Sequence, residues 1–245
     1  MAVQLDDYAT LRNDANLVHY MRLESATATV GSNMTNTNSV TFIAGQFNNA
    51  AHFVKASSQS LDLASDLGIT NGNITIIAWV KVGTAPSSGN YTGFVGKADG
   101  GTFVQYGLWY NNPSGTLQVW FDREKGGVAN QGVQLNQTLT IDTWYQLAMT
   151  YDGTNVRGYI DGAEVTGSPV AASGDGSSAE ADGYEIGTLV GNSGGAHTGR
   201  YGDHDVDDVA IFSRALSATE ISDFYNATAA ATPSGRRRML TGIGQ

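Results

Sequence analysis

The segment Trp144-Tyr-Gln-Leu-Ala-Met-Thr-Tyr-Asp-Gly-Thr-Asn-Val-Arg-Gly-Tyr-Ile-Asp-Gly162 is the clearest indicator of fold class in this 245-residue chain. It contains two strand-like runs, 143–151 and 156–160, and the loop Asp152-Gly153-Thr154-Asn155 separates them. Two such runs joined by a short loop with an Asp-Gly pair are typical of a β-hairpin. A second pair, Asp161-Gly162, predicts another turn directly after the second strand.

Strand-like segments recur along the rest of the chain, and turn residues separate them without interleaved helices. The richest in β-branched residues is 74–82, which reads Ile-Thr-Ile-Ile-Ala-Trp-Val-Lys-Val. The other predicted strands are 16–23, 40–43, 50–54, 60–63, 93–97, 103–110, 116–122, 184–187 and 205–212. Many short strands at this spacing predict an antiparallel sandwich or barrel.

A helix is indicated near the C-terminal end of the chain. The segment from Ser217 to Glu220, Ser-Ala-Thr-Glu, has the sequence of a capping box, in which the two outer side chains satisfy each other's backbone N–H groups. Ile221, Phe224 and Tyr225 follow at helical spacing and would form the apolar face. The sequence therefore predicts a short helix after the last strand.

The length suits one domain with a single sizeable core. We expect an N-terminal arm (1–15) with a short helix between residues 6 and 14, one domain (16–226) and a C-terminal tail (227–245). The tail contains the strongly basic segment Arg236-Arg237-Arg238. Terminal extensions of this kind are either disordered ends or contacts with neighbouring subunits.

The composition restricts the function classes. The chain has 23 acidic residues against 13 Lys and Arg, a formal net charge of −10, so we expect no nucleic-acid partner because phosphate binding needs a basic surface. The absence of cysteine excludes a disulfide framework, a thiolate metal site and a cysteine nucleophile. We also expect no membrane insertion, since no apolar run approaches the ~18 residues of a membrane helix. The acidic start lacks the features of a signal peptide.

Several segments together resemble a known family. The most specific are Trp144-Tyr-Gln-Leu-Ala-Met-Thr-Tyr-Asp-Gly153 and Gly158-Tyr-Ile-Asp-Gly162, which resemble the laminin-G-like jelly rolls of the concanavalin A-like lectin/glucanase superfamily. Segments 44–53, 74–81, 184–187 and 206–217 extend the resemblance, which covers about residues 16–226. The resemblance implies an all-β, antiparallel two-sheet jelly-roll sandwich with one short C-terminal helix. It also implies a binding role, often with a structural calcium.

An enzymatic alternative rests on the segment Glu180-Ala-Asp182-Gly-Tyr-Glu185. Retaining glucanases of this superfamily have three carboxylates at this spacing, and retention needs two carboxyl groups only ~5 Å apart. The preceding residues 171–181 are small and polar, and Gly183 stands where an apolar strand residue belongs. We therefore expect a solvated acidic loop and a protein that is not an enzyme.

A metal site is predicted at Asp203, Asp205, Asp207 and Asp208, which form a dense acidic run entering a strand. Strand alternation would place the first three on one side, where a calcium ion would neutralise them. The resemblance implies the same, because Asp207 occupies an aspartate position that often lies close to a structural calcium in this family. The early strand departs from the family pattern, since it reads Ser58-Gln59-Ser60. The alternative is an exposed acidic rim.

Glycan ligands would be bound by aromatic and planar polar side chains on an open sheet face or its rim loops. If Val119 and Phe121 face the core, strand alternation turns Gln118 and Trp120 outward. The alternative for each aromatic residue is core packing. The predicted ligand-binding residues are Trp109, Gln118, Trp120, Arg157, Tyr159, His197, Arg200 and Tyr201.

These observations predict a non-catalytic, lectin-like module that recognises a glycan, a polysaccharide or another cell-surface partner. Such domains usually act outside cells, yet the sequence shows no signal peptide, so we expect an extracellular protein or one displayed on a virion. A phage head-decoration or tail-adhesion protein would meet both conditions. One alternative is a structural protein that holds other virion or capsid subunits through residues 1–15 and 227–245. A glucanase-type glycoside hydrolase is the second alternative.

Overall fold

A computed structural model describes most of the chain. The described residues are 4–64, 67, 69, 73–87, 91–98, 104–112, 116–123, 133–135, 139–172, 183–188 and 200–230. Among them, no helix is long and apolar enough to cross a membrane.

The described residues form sixteen strands and two α-helices, with short 3-10 helices at Leu5–Asp7 and Lys55–Ser57. The helices are α1 (Ala9–Arg12) and α2 (Ala218–Ala230). The strands are β1 (Leu17–Met21), β2 (Thr35–Thr37), β3 (Thr41–Ala44), β4 (Asn49–Phe53), β5 (Ser60–Asp62), β6 (Ile74–Val82), β7 (Tyr91–Ala98), β8 (Val104–Asn111), β9 (Gln118–Asp122), β10 (Val133–Leu135), β11 (Trp144–Tyr151), β12 (Asn155–Ile160), β13 (Ala163–Glu164), β14 (Val170–Ala171), β15 (Glu185–Ile186) and β16 (His204–Phe212).

The strands form two antiparallel sheets, which we call sheet A and sheet B. Sheet A has the order β13-β12-β11-β6-β16-β4-β3, with β1 beside β16 and β14 beside β12. Sheet B has the order β10-β9-β8-β7-β15-β5-β2. Sequence neighbours are thus often separated in space, as is usual in sandwiches with Greek-key connections. The predicted all-β, two-sheet jelly-roll sandwich with a short C-terminal helix is confirmed.

The hairpin predicted from the Asp-Gly motif joins β11 to β12. Tyr151 and Val156 are its last paired residues, and Gly153 has a φ of +90°, which glycine adopts without steric cost. The Asp152 carboxylate accepts hydrogen bonds from the backbone N–H groups of Thr154 and Asn155 at 2.9 and 2.7 Å. The side chain and the glycine together hold the turn, and therefore set the register of the two strands.

The main core lies between the sheets and follows strand alternation. In β6 the apolar residues at 74, 76, 78, 80 and 82 are all buried in it, as are Val119 and Phe121 of β9 on the opposite sheet. At Gly158 the two sheets approach closely, since a Cβ atom there would lie 2.4 Å from the Phe121 ring. The predicted inward set of β9 is confirmed, and Gln118 and Trp120 accordingly face outward.

A second apolar cluster covers the outer face of sheet A. Leu5 and Leu11 from the N-terminal segment and Phe224 from α2 pack there against strand residues that include Ile77 and Tyr159. Leu5 and Leu11 are completely buried. Leu5 and Leu11, which lie in the segment predicted as an arm (1–15), are therefore packed on the domain. The expected short helix occurs as two separate turns, Leu5–Asp7 and Ala9–Arg12.

The capping box and an ion-pair network attach α2 to this cover. The Ser217 hydroxyl accepts the N–H of Glu220, and the Glu220 carboxylate accepts the N–H of Ser217, as predicted. Arg214 then donates to both Glu220 and Asp14, at 2.5 and 2.6 Å. The network joins the end of β16, the N-terminal segment and the start of α2.

Candidate functional site

The outer face of sheet B carries a pair of stacked tryptophans. Trp109 of β8 and Trp120 of β9 are paired across the strands, and the residues before and after each of them point into the core. Their rings are parallel within 5° and their centroids are 4.7 Å apart. Offset stacks of this kind add to the stability of an aromatic cluster beyond its buried area.

Trp109 is enclosed on every side, whereas Trp120 is only half-buried. The Tyr91 and Trp109 rings meet edge to face, with their centroids 4.9 Å apart, and the Trp120 ring covers the other side of Trp109. Asp122 accepts a hydrogen bond from the Trp109 Nε1–H at 3.3 Å. With 6% of its surface exposed, Trp109 supports Trp120 and presents no free ring face of its own. Trp120 is therefore the aromatic platform of this face.

Polar side chains lie in the neighbouring row of the same face. Tyr91, Asn111 and Gln118 are paired in register across β7, β8 and β9, one row along from the tryptophans. Asn111 is only 5% exposed, and its Oδ1 atom has no hydrogen-bond partner among the described residues. Because an unpaired buried acceptor is costly, this carbonyl oxygen is a candidate position for a ligand hydroxyl.

The row on the other side of the tryptophans combines acids and glycines. Register pairs run from Asp122 through Gly107 and Gly96 to Glu185 and Asp62, across five strands. The three carboxylates point outward, because the residues that flank each of them on the sheet B strands include core residues. The two glycines add no side chain to the space between Asp122 and Glu185.

Arg200 and Tyr201 lie beside the same face. Past the end of β15, the Arg200 carbonyl accepts the N–H of Gly93 on β7, at 3.4 Å. Burial, and then the negative charges of Glu185 and Asp62, raise the pKa of the Tyr201 hydroxyl. Five of the predicted ligand residues therefore belong to one face, namely Trp109, Gln118, Trp120, Arg200 and Tyr201.

The remaining predicted ligand residues do not join them. Arg157 and Tyr159 also point outward, but from sheet A, on the opposite side of the sandwich. Arg157 forms an ion pair with Glu164 at 3.0 Å, and Tyr159 is 1% exposed in the cluster that holds α2. His197 lies outside the described residues. Strand alternation found the outward positions correctly, but it contains no information about which sheet a strand joins.

The four aspartates predicted to bind calcium are held by separate partners. Asp203 accepts the N–H of Lys55 at 2.9 Å. Asp205 lies between His52 and Lys81, at 2.6 and 2.7 Å. The carboxylate of Asp205 is thus neutralised by neighbouring strands rather than by a shared cation.

Asp207 and Asp208 occupy a β-bulge where β16 changes its partner from β4 to β1. Asp207 accepts the N–H of Phe47, and burial raises its pKa to about 8. Asp208 accepts the N–H of Leu5 and the hydroxyl of Tyr20, and burial raises its pKa to about 7. The two carboxyl groups thus serve two different contacts.

These contacts do not gather the four carboxylates around one point, and calcium binding stays a prediction of the sequence analysis. Calcium takes six to eight oxygen ligands around one point. In the part of the chain that the structure describes, no group of three or more His, Asp or Glu side chains is placed to hold a metal. The acidic run has a structural explanation instead, because each carboxylate fixes a loop, a neighbouring strand or the N-terminal segment.

Two described residues bear on the question of catalysis, His204 and Glu185. His204 is buried between the sheets against Phe53, Phe94 and Tyr110, and burial lowers its pKa to about 3. Such a histidine stays neutral and packs in the core. Glu185 lies on β15, whereas the other two carboxylates of the enzymatic alternative, at 180 and 182, lie outside the described residues.

Sequence reasoning missed Tyr91, Asn111 and Asp122 at this site. Their roles come from contacts across strands. Tyr91 contacts the Trp109 ring, Asn111 lies in the row beside the tryptophans, and Asp122 accepts the hydrogen bond from the Trp109 indole. An outward position in a strand next to a tryptophan was the one available signal, and it applies equally to many polar residues.

Comparison with known proteins agrees with the fold. A laminin-G family model, described as the Concanavalin A-like lectin/glucanases superfamily, matches residues 55–222. No match was found among curated protein sequences. Among solved structures, domain 4 of AbnA, an extracellular GH43 arabinanase from Geobacillus stearothermophilus, is similar with a TM-score of 0.63 and 15% identity. That domain was solved in complex with arabinotriose, and the match covers 86% of this chain and 98% of the domain.

Two further structures show the same fold within larger proteins. Trypanosoma rangeli sialidase matches 89% of this chain with a TM-score of 0.62 and 15% identity, and the match covers 33% of the sialidase. The receptor binding domain of botulinum neurotoxin type G matches 87% with a TM-score of 0.59 and 15% identity, over 51% of its length. At this level of identity, the similarity establishes the fold alone.

Proposed function

We propose that the chain is a non-catalytic, lectin-like module that binds a glycan. The chain belongs to the Concanavalin A-like lectin/glucanases superfamily, whose fold is shared by enzymes and binding modules. The binding surface is the outer face of sheet B. One observation carries the proposal: Trp120 is held half-exposed by a fully enclosed Trp109, next to a buried and unpaired oxygen of Asn111.

The chemistry of this face suits a saccharide. A sugar ring has an apolar C–H face that packs on an aromatic ring, and hydroxyl groups at its edge that need hydrogen-bond partners. Trp120 offers the ring, and the Asn111 oxygen can accept a hydrogen bond from a sugar hydroxyl. The Trp109 stack and the Asp122 hydrogen bond fix the indoles beforehand, so that less side-chain freedom is lost on binding.

Two of the similar structures support a binding role. The arabinanase domain was solved with a bound oligosaccharide, and the neurotoxin domain is a receptor binding domain. The first was thus solved with a saccharide, and the second is named for binding a receptor. Display on a virus particle and an extracellular location stay predictions of the sequence analysis.

The alternatives make different predictions. A glucanase would release reducing ends from a bound polysaccharide, and Glu185→Gln would abolish that release. An assembly protein would need its terminal segments for contacts with other subunits, yet Leu5 and Leu11 are already buried against sheet A. The N-terminal segment is thus engaged within the domain, whereas residues 231–245 of the predicted tail lie outside the described residues.

The test is a binding screen of the purified chain against neutral and charged polysaccharides, including arabinan, by affinity electrophoresis and calorimetry. Trp120→Ala should weaken binding at least tenfold, since aromatic anchors dominate such interfaces. Trp144→Ala is the matched control, because Trp144 is also half-buried but faces outward from sheet A beside Lys81. Equal losses in both variants, or none in Trp120→Ala, would refute the sheet B site.

A further inference from the structure

We infer that the sheet B site recognises the acetamido group of an N-acetylated sugar: Asn111 accepts its N–H, Trp120 donates to its carbonyl oxygen, and Tyr91 contacts its methyl group. This inference rests on the proposed function and names the substrate class of the same site. Two polar atoms on the outer face of sheet B carry it, because neither Asn111 Oδ1 nor Trp120 Nε1 has a hydrogen-bond partner in the described part of the chain.

The two atoms have complementary chemistry. Asn111 Oδ1 is a carbonyl oxygen and only accepts, whereas the indole Nε1–H of Trp120 only donates. Both atoms are buried, and Asn111 as a whole is 5% exposed. The neighbouring indole differs, because the Nε1–H of Trp109 donates to Asp122. A buried polar atom without a partner costs free energy, so a ligand that supplies one donor and one acceptor is stabilised at both atoms.

The strand register sets the distance that the ligand has to span. Asn111 of β8 is paired with Gln118 of β9, so Trp120 is its diagonal neighbour on the same face. Diagonal neighbours are about 7 Å apart, which sets the scale for the distance between their side chains. A single hydroxyl oxygen that both accepts and donates spans about 5.5 Å, whereas the oxygen and nitrogen of a secondary amide together span about 8 Å. The amide therefore fits this spacing better than a hydroxyl group does.

The planar trans amide also orients the rest of the sugar. In a trans amide the methyl group lies on the same side as the N–H, and the sugar carbon lies on the same side as the carbonyl oxygen. When the N–H is directed at Asn111 and the carbonyl oxygen at Trp120, the sugar ring lies towards the indole that serves as its platform. The methyl group then lies towards Tyr91, which is the register partner of Asn111 on β7.

Tyr91 provides the apolar contact for that methyl group. Its side chain is 45% exposed, and the edge-to-face contact with Trp109 holds its ring in place. A plain hydroxyl group at the same sugar carbon has no methyl group and only one polar atom. It therefore leaves Tyr91 uncovered and one of the two protein atoms unpaired, and the site discriminates against sugars that lack the acetamido group.

The experiment compares sugars that differ in this group. Chitotetraose, cellotetraose and the fully deacetylated chitosan tetramer have the same linkage and carry an acetamido, a hydroxyl and an amino group at the same ring carbon. N-acetylgalactosamine and N-acetylmannosamine are tested beside galactose and mannose. Sialyllactose is tested beside lactose, because N-acetylneuraminic acid is a second source of the same group. Calorimetry at about 0.15 M and 0.5 M salt separates recognition from the charge of the amine and the carboxylate.

At least one acetamido sugar should bind about tenfold more tightly than its hydroxyl counterpart. Trp120→Phe keeps an aromatic ring in the stack and removes the N–H, and Asn111→Leu removes the acceptor at similar volume. Each variant should reduce the preference to less than about threefold, while affinity for the hydroxyl counterpart changes less than about twofold. Trp144→Phe makes the same chemical change on sheet A and should leave the preference intact.

Three results would overturn acetamido recognition and leave the glycan site in place. They are hydroxyl or amino sugars that bind as tightly as their acetamido counterparts, a preference that survives both sheet B variants, and a preference lost equally in Trp144→Phe. Binding to none of these sugars, nor to any polysaccharide of the wider screen, would overturn the proposed function itself.

Discussion

The two outer faces of the sandwich differ in whether the chain itself covers them. Sheet A is covered by the chain's own N-terminal segment and by α2, whose apolar residues are buried against it. Sheet B instead presents a supported tryptophan, two glycine positions and three carboxylates. A face that the chain itself covers stabilises the fold, whereas a face with an unpaired acceptor and a half-exposed indole retains binding capacity. The contrast assigns stability to one side, and the proposed glycan recognition belongs to the other.

The largest expected effect is on the covered face. Leu5→Ala should lower the free energy of unfolding by about 3 kcal/mol, because it removes a completely buried side chain and leaves a cavity. Urea unfolding followed by fluorescence measures this. Glycan affinity below the unfolding transition should be unchanged. A variant as stable as the wild type would show that the N-terminal segment is not docked.

The second prediction concerns the support of the binding face. Trp109→Ala should weaken glycan binding about tenfold, or about 1.4 kcal/mol, although Trp109 offers no ring face to a ligand. The reason is that Trp120 loses the stack that fixes its ring. Trp109→Phe, which keeps an aromatic neighbour for Trp120, should retain most of the affinity in calorimetry. If both variants bind as the wild type does, the stack has no role in recognition.

The third prediction is a pH effect on the covered face. Hydrogen bonds from Arg214 lower the pKa of Glu220 to about 2 from its ordinary 4.5. The stabilisation is therefore complete above pH 4.5 and is lost as the pH falls through about 2. Because the pair is partly exposed, we expect Glu220→Gln to cost about 1 kcal/mol at pH 7 and less at pH 2.5. Thermal unfolding at both pH values measures it, and a cost that grows towards low pH would contradict the network.

The smallest expected effect on stability gives the most direct test of the different roles of the two faces. Arg157→Ala removes an exposed ion pair on sheet A, so stability should change by less than about 0.5 kcal/mol. Glycan affinity should not change, although the sequence places Arg157 among the ligand residues. Reduced affinity in calorimetry would mean that the ligand reaches sheet A and that the division between the faces is wrong.

Local signals in the sequence were sufficient for several elements. The Asp152-Gly153 turn, the Ser217 capping box and the outward positions of Gln118 and Trp120 were all predicted and are confirmed. Each depends on residues within a few positions of one another, where backbone preferences and side-chain periodicity act directly. The same alternation also marked Arg157 as outward, correctly but on the other sheet.

Contacts between distant segments were beyond the reach of such signals. Asp205, Asp207 and Asp208 are close in sequence and suggested one metal site, but a bulge and a change of strand partner direct them to different neighbours. Leu5 was assigned to an arm because nothing in the residues around it in the sequence shows that it packs against sheet A.

The chain's turns, caps and alternating strands follow from short-range chemistry, and they are legible in the sequence for that reason. Strand order decides which outward face is covered and which is left uncovered. It pairs residues more than a hundred positions apart, such as Asp62 with Glu185. Strand pairing joins backbones through hydrogen bonds that are the same for every residue type, so the order of strands leaves little trace in any one segment. The proposed binding face of this protein is therefore a product of that order.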